Sequence, residues 1–341
     1  MHILVIGGTD FVGPPTLKRL NEMGHDLLVF HRGNTKVPDS LSAKIVHGDR
    51  KSLADFSSDF KAFAPEVVLD MIPHTEQDGR QLISVFRGIA ERLVAVSSAD
   101  VYRAYDRLWN KDSGEPDPTP LTEGSPLRDR LYPYRTETTT EDEFEYHYDK
   151  ILMEKAVMSE PETLPATVIR PPMIHGPNDF QHRFYAYVKR MLDQRPFIVL
   201  SEEMATWRGC RGYVENMAEA IALCVTQPEA ANNVYHVASP TITEKAWVSK
   251  IAKAMSWQGN ILTLPNEQLP EHLQRSYNFS QNWSLDSSFI RTQLGYRERI
   301  STDEGVMRTV AWEQDNPPED LDLEQFNYSS EDAAVKSNLR T

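Results

Sequence analysis

Tyr146 and Lys150 are the two residues whose types and spacing say most about chemistry. Positions four apart share one face of a helix, so a phenol and an ammonium placed there would reach the same ligand. The ammonium favours phenolate and lowers the phenol pKa, letting the tyrosine exchange a proton with a substrate hydroxyl while a hydride moves. A serine alongside would orient that hydroxyl, and Ser97 and Ser98 follow the apolar run Arg92 to Val96. Tyr185 and Lys189 repeat the spacing but lie beyond the next apolar run, away from the serines. Convergence of all three groups on one strand end selects the first pair.

Such a pair needs elements that hold it against a cofactor, and the start of the chain supplies them. His2 to Ile6 is a short apolar run that stops at Gly7-Gly8, followed by Thr9, Asp10, Phe11, Val12 and Gly13. Strand, glycine turn and helix at this spacing follow the dinucleotide fingerprint, with Asp10 where a middle glycine is commonest. The amides of Phe11 and Val12 would face a pyrophosphate at a helix N-terminus, and the Asp10 carboxylate would have to point away from it. Leu17, Leu20 and Met23 continue at helical spacing to Gly24. A second strand, Leu27 to Phe30, ends at His31-Arg32. No acid stands there for ribose hydroxyls, whereas an arginine suits a 2′-phosphate, so the expected cofactor is NAD(P), with NADP favoured over NAD.

Further strands are expected at Lys44 to Val46, Glu66 to Met71, Arg92 to Val96 and Ala166 to Ile169, with helices between them. The alternation implies right-handed crossovers and a parallel sheet covered on both faces. Ligands then sit beyond the carboxyl ends of the strands. Asp49, Arg50, Met71 and Pro171 complete the expected cofactor crevice, and Asp100 and Tyr102 stand on its substrate side. Residues 103–140 read as a proline-rich loop, and 141–158 as one helix capped by Thr138 to Thr140 and carrying the Tyr146 and Lys150 pair. Arg208 and Arg211 together suggest an anion contact.

Composition narrows the class. The formal net charge of −14 over 341 residues opposes a nucleic-acid-binding surface. There is no apolar run near the roughly 20 residues that span a bilayer and no leader pattern, so the expected location is cytoplasmic, without membrane contact. Cys210 and Cys224 read as buried small hydrophobes, and the ten histidines lack metal-site spacing, so no metal is expected.

Taken in order, GGTDFVG, SSADVY, YHYDKILME, VIRPPMIHGP, RGYVEN and the closing LGYRERISTDEGVMRTVAW resemble the extended short-chain dehydrogenase/reductase family, in its NAD(P)-dependent nucleotide-sugar epimerase/dehydratase branch. The resemblance runs from Met1 to about Pro317. It implies Ser98, Tyr146 and Lys150 as catalytic residues, Arg211 as a contact to a substrate diphosphate, a sugar-nucleotide substrate and a homodimer. Its fold is α/β, a Rossmann-type doubly wound parallel sheet with a smaller α/β C-terminal substrate lobe. The expected boundaries are a cofactor domain over 1–172, completed by about 212–238, a lobe over 173–315 and a loosely docked or disordered acidic tail over 316–341. Asp10 weakens assignment to any one sugar nucleotide, and the lack of an adjacent acidic pair at Ala99-Asp100 favours oxidation and reduction over elimination. The readings are therefore an epimerase-like enzyme acting by hydride transfer at a carbinol, an NADPH-dependent carbonyl reductase, and a non-catalytic cofactor-binding or RNA-associated relative.

Overall fold

The computed structural model describes residues 1–38 and 41–338. The apolar runs form strands β1 (His2–Ile6), β2 (Asp26–His31), β3 (Ala43–His47), β4 (Val67–Asp70), β5 (Arg92–Val96) and β6 (Ala166–Arg170). The shorter or later strands are β7 (Met173–His175), β8 (Phe197–Ser201), β9 (Arg211–Tyr213), β10 (Val234–His236) and β11 (Asn260–Leu264). Seven of them make one parallel sheet in the order β10, β6, β5, β4, β1, β2, β3. The order reverses beside β1, where a doubly wound sheet opens its ligand crevice.

Successive residues of each strand serve opposite faces. Ile3, Val5, Val29, Val67 and Leu69 pack on α1 (Gly13–Glu22) and on α9 (Val214–Thr226). Leu4, Ile6, Phe30, Val68 and Leu93 pack on α2 (Ser57–Phe63), α3 (Glu76–Phe86) and α6 (Lys150–Val157). Burial on both faces explains why these strands read as continuous apolar runs rather than alternating ones. Each such side chain contributes roughly 1.5–3 kcal/mol when fully buried.

The second lobe is built on two-stranded parallel sheets, β8 with β11 and β7 with β9. Around them lie α7 (Tyr185–Leu192), α8 (Glu202–Thr206), α10 (Glu244–Ala254) and α12 (Thr302–Asp315), while α11 (Ser288–Leu294) packs its Ile290 and Leu294 into the core of the main sheet. Phe184, Val188, Ile198, Trp247, Ile251 and Val310 form its core. Cys210 and Cys224 are fully buried, as expected of small hydrophobes.

Three expectations are corrected. The loop over 103–140 contains α4 (Arg103–Leu108), because its prolines start only at Pro116 and leave the first turns free to close. The single helix expected over 141–158 is two: α5 (Phe144–His147) and α6. The acidic tail is docked by α13 (Tyr328–Asn338), whose Glu331 is fully buried and paired with Arg190 at 2.6 Å and His272 at 3.1 Å. Val335 adds an apolar contact beside Val199, Leu264 and Leu269. Residues 339–341 of that expectation lie outside the described residues.

Candidate active site

The turn after β1 requires its glycines. Gly7 and Gly8 have φ of +79° and +78°, a region that costs other residues a steric penalty. A Cβ at Gly13 would lie 2.2 Å from the Gly8 carbonyl carbon, so only glycine lets α1 approach the turn. This cradle fits a dinucleotide pyrophosphate. Its donors are few: Pro14 and Pro15 carry no N–H in the first turn of α1. Phe11, at φ +42°, donates its N–H to the Asp10 carboxylate at 2.9 Å. The expectation that Asp10 points away is corrected, since its carboxylate covers the very amide expected to face the phosphate.

The ends of β2 and β3 divide into free and committed groups. Arg32 is exposed and has no ion-pair partner among the described residues. His31 is buried, accepts the Gly33 N–H at 3.2 Å and lies 4.8 Å from the His47 ring; burial lowers its pKa, and His47 adds to this. Asp49 accepts the Lys51 N–H at 2.8 Å and caps the turn that follows. Arg50 is buried, its guanidinium bonded to Asp70 and Asp78. Asp49 and Arg50 were expected to face a cofactor; Asp49 is exposed, whereas Arg50 instead ties the end of β3 to β4 and α3. Met71 N–H bonds to Ile6 O at 3.1 Å, which extends the β1 and β4 pairing. The Ile72 side chain then comes within 3.2 Å of where a Gly7 Cβ would be.

The end of β5 carries the densest polar cluster. Ser97 is buried and bonded to Glu154 at 2.5 Å. Ser98 accepts the Asp100 N–H at 3.2 Å. Asp100 Oδ2 accepts from Tyr148 Oη at 2.8 Å and Tyr134 Oη at 2.9 Å, while its Oδ1 is buried without a partner. Burial raises the pKa of both phenols, and the Asp100 carboxylate raises them further. Lys150 is buried, donates to Pro73 O at 2.7 Å and Val96 O at 2.9 Å, and sits 6.0 Å from the Tyr148 ring centre. Burial pushes its amine down to about 8, against the opposing pull of Asp100 and Asp70. The His74 ring lies nearby, tilted 6.0 Å from Tyr148, and burial beside Lys150 and Arg50 holds its pKa down at about 2.

Tyr146 is not in this cluster. Its hydroxyl donates to Glu141 at 3.3 Å, its ring lies under Arg135 at 3.9 Å, and its carbonyl accepts from Arg135 Nε at 3.0 Å. The shared helical face expected for Tyr146 and Lys150 does not form, because Tyr148 and Asp149 are extended and Lys150 is the first residue of α6. Asp149 Oδ1 caps the Ile151 and Leu152 amides at 2.9 Å and 3.1 Å, and the Asp149 N–H bonds to His74 O at 3.1 Å. An aspartate directly before Lys150-Ile151-Leu152-Met153 was the available signal for that helix start. Tyr148 and Tyr134 were missed because neither follows a helical spacing to Lys150.

The remaining expected residues are structural in part. Tyr102 is fully buried, its hydroxyl held by Arg170 at 2.6 Å and by His236, which corrects its placement on the substrate side. Pro171 is buried and its carbonyl accepts the Ala99 N–H at 3.0 Å, tying the end of β6 to the serine turn. Arg211 Nη2 donates to both Glu244 oxygens at 3.0 Å and 2.8 Å, and its Nε and Nη1 are buried without partners. Arg208 is exposed, so the two arginines do not act as one anion site.

Glycine cradle, strand-end serines and buried lysine on this sheet define a dinucleotide-fold protein of the Rossmann type. Residues 3–238 match the NAD dependent epimerase/dehydratase family, and the chain belongs to that family. It is similar to the chloroplast stem-loop binding protein of 41 kDa b of Arabidopsis thaliana, 22% identical over 292 residues covering 82% of this chain and 68% of that one. Its fold is similar to the UDP-glucose 4-epimerase of Thermotoga maritima, solved with UDP-glucose: TM-score 0.66, 16% identity, 92% of this chain and 99% of that one. The dTDP-glucose 4,6-dehydratase of Bacillus anthracis, solved with NAD, matches at TM-score 0.66 and 15% identity, covering 93% and 97%.

Proposed function

We propose that the chain binds a nicotinamide dinucleotide, NADP in preference to NAD, and moves a hydride at a carbinol carbon of a sugar nucleotide. The observation that carries this reading is the buried Lys150, which donates to Pro73 O and to Val96 O, two residues before Ser98, where the ends of β4 and β5 meet next to the glycine cradle. Gly7, Gly8 and Gly13 would admit the pyrophosphate, with Thr9, Phe11 and Val12 on its edge. Arg32, uncommitted and exposed, would pair with a 2′-phosphate through its planar fork. The dinucleotide supplies hydride exchange when bound. Ser98 orients the substrate hydroxyl, and Lys150, a partly neutral cation at the strand ends, sets the charge felt by the neighbouring phenol. The motif spacing names Tyr146 as the phenol of this set, but its hydroxyl is held at Glu141 outside the cluster, and Arg211, with two unpartnered donors, would be the contact to a diphosphate. The same reading includes a soluble cytoplasmic homodimer.

Mass spectrometry of gently purified protein, followed by titration with NADP⁺ and NAD⁺, tests it. A bound dinucleotide and turnover of UDP- or dTDP-glucose are expected. Turnover without cofactor consumption marks an epimerase, and loss of one NADPH per product marks a reductase. No dinucleotide binding at millimolar concentration overturns the reading. A second reading, a non-catalytic RNA-associated protein, draws on the displaced Tyr146 and on the name of the Arabidopsis relative. It predicts stem-loop RNA binding in a gel-shift assay and no turnover.

A further inference from the structure

We infer that Tyr148, not the tyrosine four residues before Lys150, is the phenol of the Ser98 and Lys150 site, and that Asp100 takes up its proton. This rests on the dinucleotide reading above. Three observations carry it. First, Tyr148 donates to Asp100 Oδ2 at 2.8 Å, Asp100 donates its N–H to Ser98 Oγ at 3.2 Å, and Tyr148 lies against Lys150, while Tyr146 is held outside by Arg135 and Glu141. Second, the chain between the two tyrosines and Lys150 is extended and pinned by the Asp149 cap and by His74 O, so Tyr146 cannot join the cluster by a rotamer change. Third, Asp100 Oδ1 is a buried acceptor with no donor, in a residue 3% exposed. An unpaired buried carboxylate oxygen is costly unless something is delivered to it.

The chemistry balances. A carbinol hydroxyl at Ser98 gives its proton to Tyr148 Oη as the Tyr148 proton passes to Asp100. The C–H electron pair leaves with its hydrogen to a nicotinamide, and the C–O bond becomes a carbonyl. Tyr134, 37% exposed with its hydroxyl turned in to Asp100 Oδ2, then links the carboxylate to solvent. A phenol that donates to a carboxylate is a poor lone base, so the carboxylate is the proton acceptor and Tyr148 the conduit. Asp100 is a positioning residue in the same step, because it fixes the direction of the Tyr148 hydroxyl.

The test reads the tyrosines directly. Protein labelled with 3-fluorotyrosine gives fluorine resonances assigned by their loss in Tyr146→Phe and Tyr148→Phe, and NADP⁺ or NAD⁺ is added while binding is measured calorimetrically. The Tyr148 line is expected to shift beyond its width on saturation and the Tyr146 line to stay. Binding with a fixed Tyr148 line, or with a moved Tyr146 line, overturns the inference and leaves the dinucleotide reading standing; no binding at all overturns the reading instead. In Asp100→Asn the Tyr148 line should titrate at lower pH than in the unsubstituted protein. An unchanged titration removes Asp100 from the step.

Discussion

Replacing Asp10 should tighten dinucleotide binding, because two separable effects work against a phosphate at that position. The carboxylate carries a charge of the wrong sign, and its Oδ1 occupies the Phe11 amide at 2.9 Å. Two unit charges about 4 Å apart in a water-like medium repel by about 1 kcal/mol, and Asp10 is exposed, so the lower limit applies. An amide released to a phosphate oxygen gains roughly 1.5–3 kcal/mol as a charged hydrogen bond. Against this, the same bond supports Phe11 at φ +42°, and losing that support costs on the order of 1 kcal/mol. The sum favours Asp10→Ala by about 1.5–3 kcal/mol, roughly 10- to 150-fold in Kd for NADP⁺. Asp10→Asn separates the parts: its amide oxygen still accepts from Phe11, so only the charge is removed. Its gain should be a few-fold at low salt and vanish at about 1 M salt, where charges are screened beyond roughly 3 Å. Calorimetric titration with NADP⁺ at both salt concentrations reads all three proteins. Weaker or unchanged binding by Asp10→Ala would refute the argument that this amide serves the phosphate.

Arg32→Ala should weaken NADP⁺ by roughly 10- to 100-fold and leave NAD⁺ unchanged; equal losses for both cofactors would remove Arg32 from the 2′-phosphate. His175 and His236 are buried and His74 is half-buried, and their pKa values are pushed down to about 3, 4 and 2, each first by desolvation. They stay neutral in the folded chain while the unfolded chain binds protons below about 6.5. Stability is therefore lost as pH falls from about 6.5 towards 4, by up to about 1.4 kcal/mol per pH unit for each. The carboxyls of Glu123, Asp179 and Glu313, raised by burial, protonate first in the folded chain and offset part of that loss. Urea midpoints should fall from pH 7 to 5, and His74→Gln should flatten the slope; a midpoint that rises with acid contradicts this. Glu331→Ala strands Arg190 in a buried place and should cost about 3–5 kcal/mol. The paired change Arg190→Met with Glu331→Leu should recover most of it in thermal melts, and a single variant as stable as the parent would show the pair to be idle.

The sheet was legible because its signal is repeated. β1 and β5 are bounded by the residues at which the apolar runs start and stop, and the helices between them keep one apolar stripe each. The tail was not legible for the opposite reason. What docks α13 is Glu331 meeting Arg190 and His272 from more than fifty residues away, and acidic composition looks the same whether a carboxylate is solvated or buried in a pair. Arg50 hides in the same way, since its partners Asp70 and Asp78 belong to other elements.

The spacing of Tyr146 and Lys150 shows where reading by period stops. Four residues share a face only if the helix is unbroken, and the residue that decides this is Asp149. Its carboxylate caps the amides of Ile151 and Leu152 and accepts the Tyr132 N–H at 2.5 Å, so the helix begins one residue later and the chain before it turns away. The turn brings in Tyr148, at an interval of two that no helix would align with Lys150, and packs it on Asp100. A motif match and a geometric match then select different tyrosines of one tripeptide. If Asp149→Ala removes the cap, α6 can grow towards Phe144 and rotate Tyr146 inward. The fluorine line of Tyr146 would move on adding NADP⁺ in that variant alone, and a line that stays fixed would show that Arg135, rather than the cap, keeps Tyr146 out.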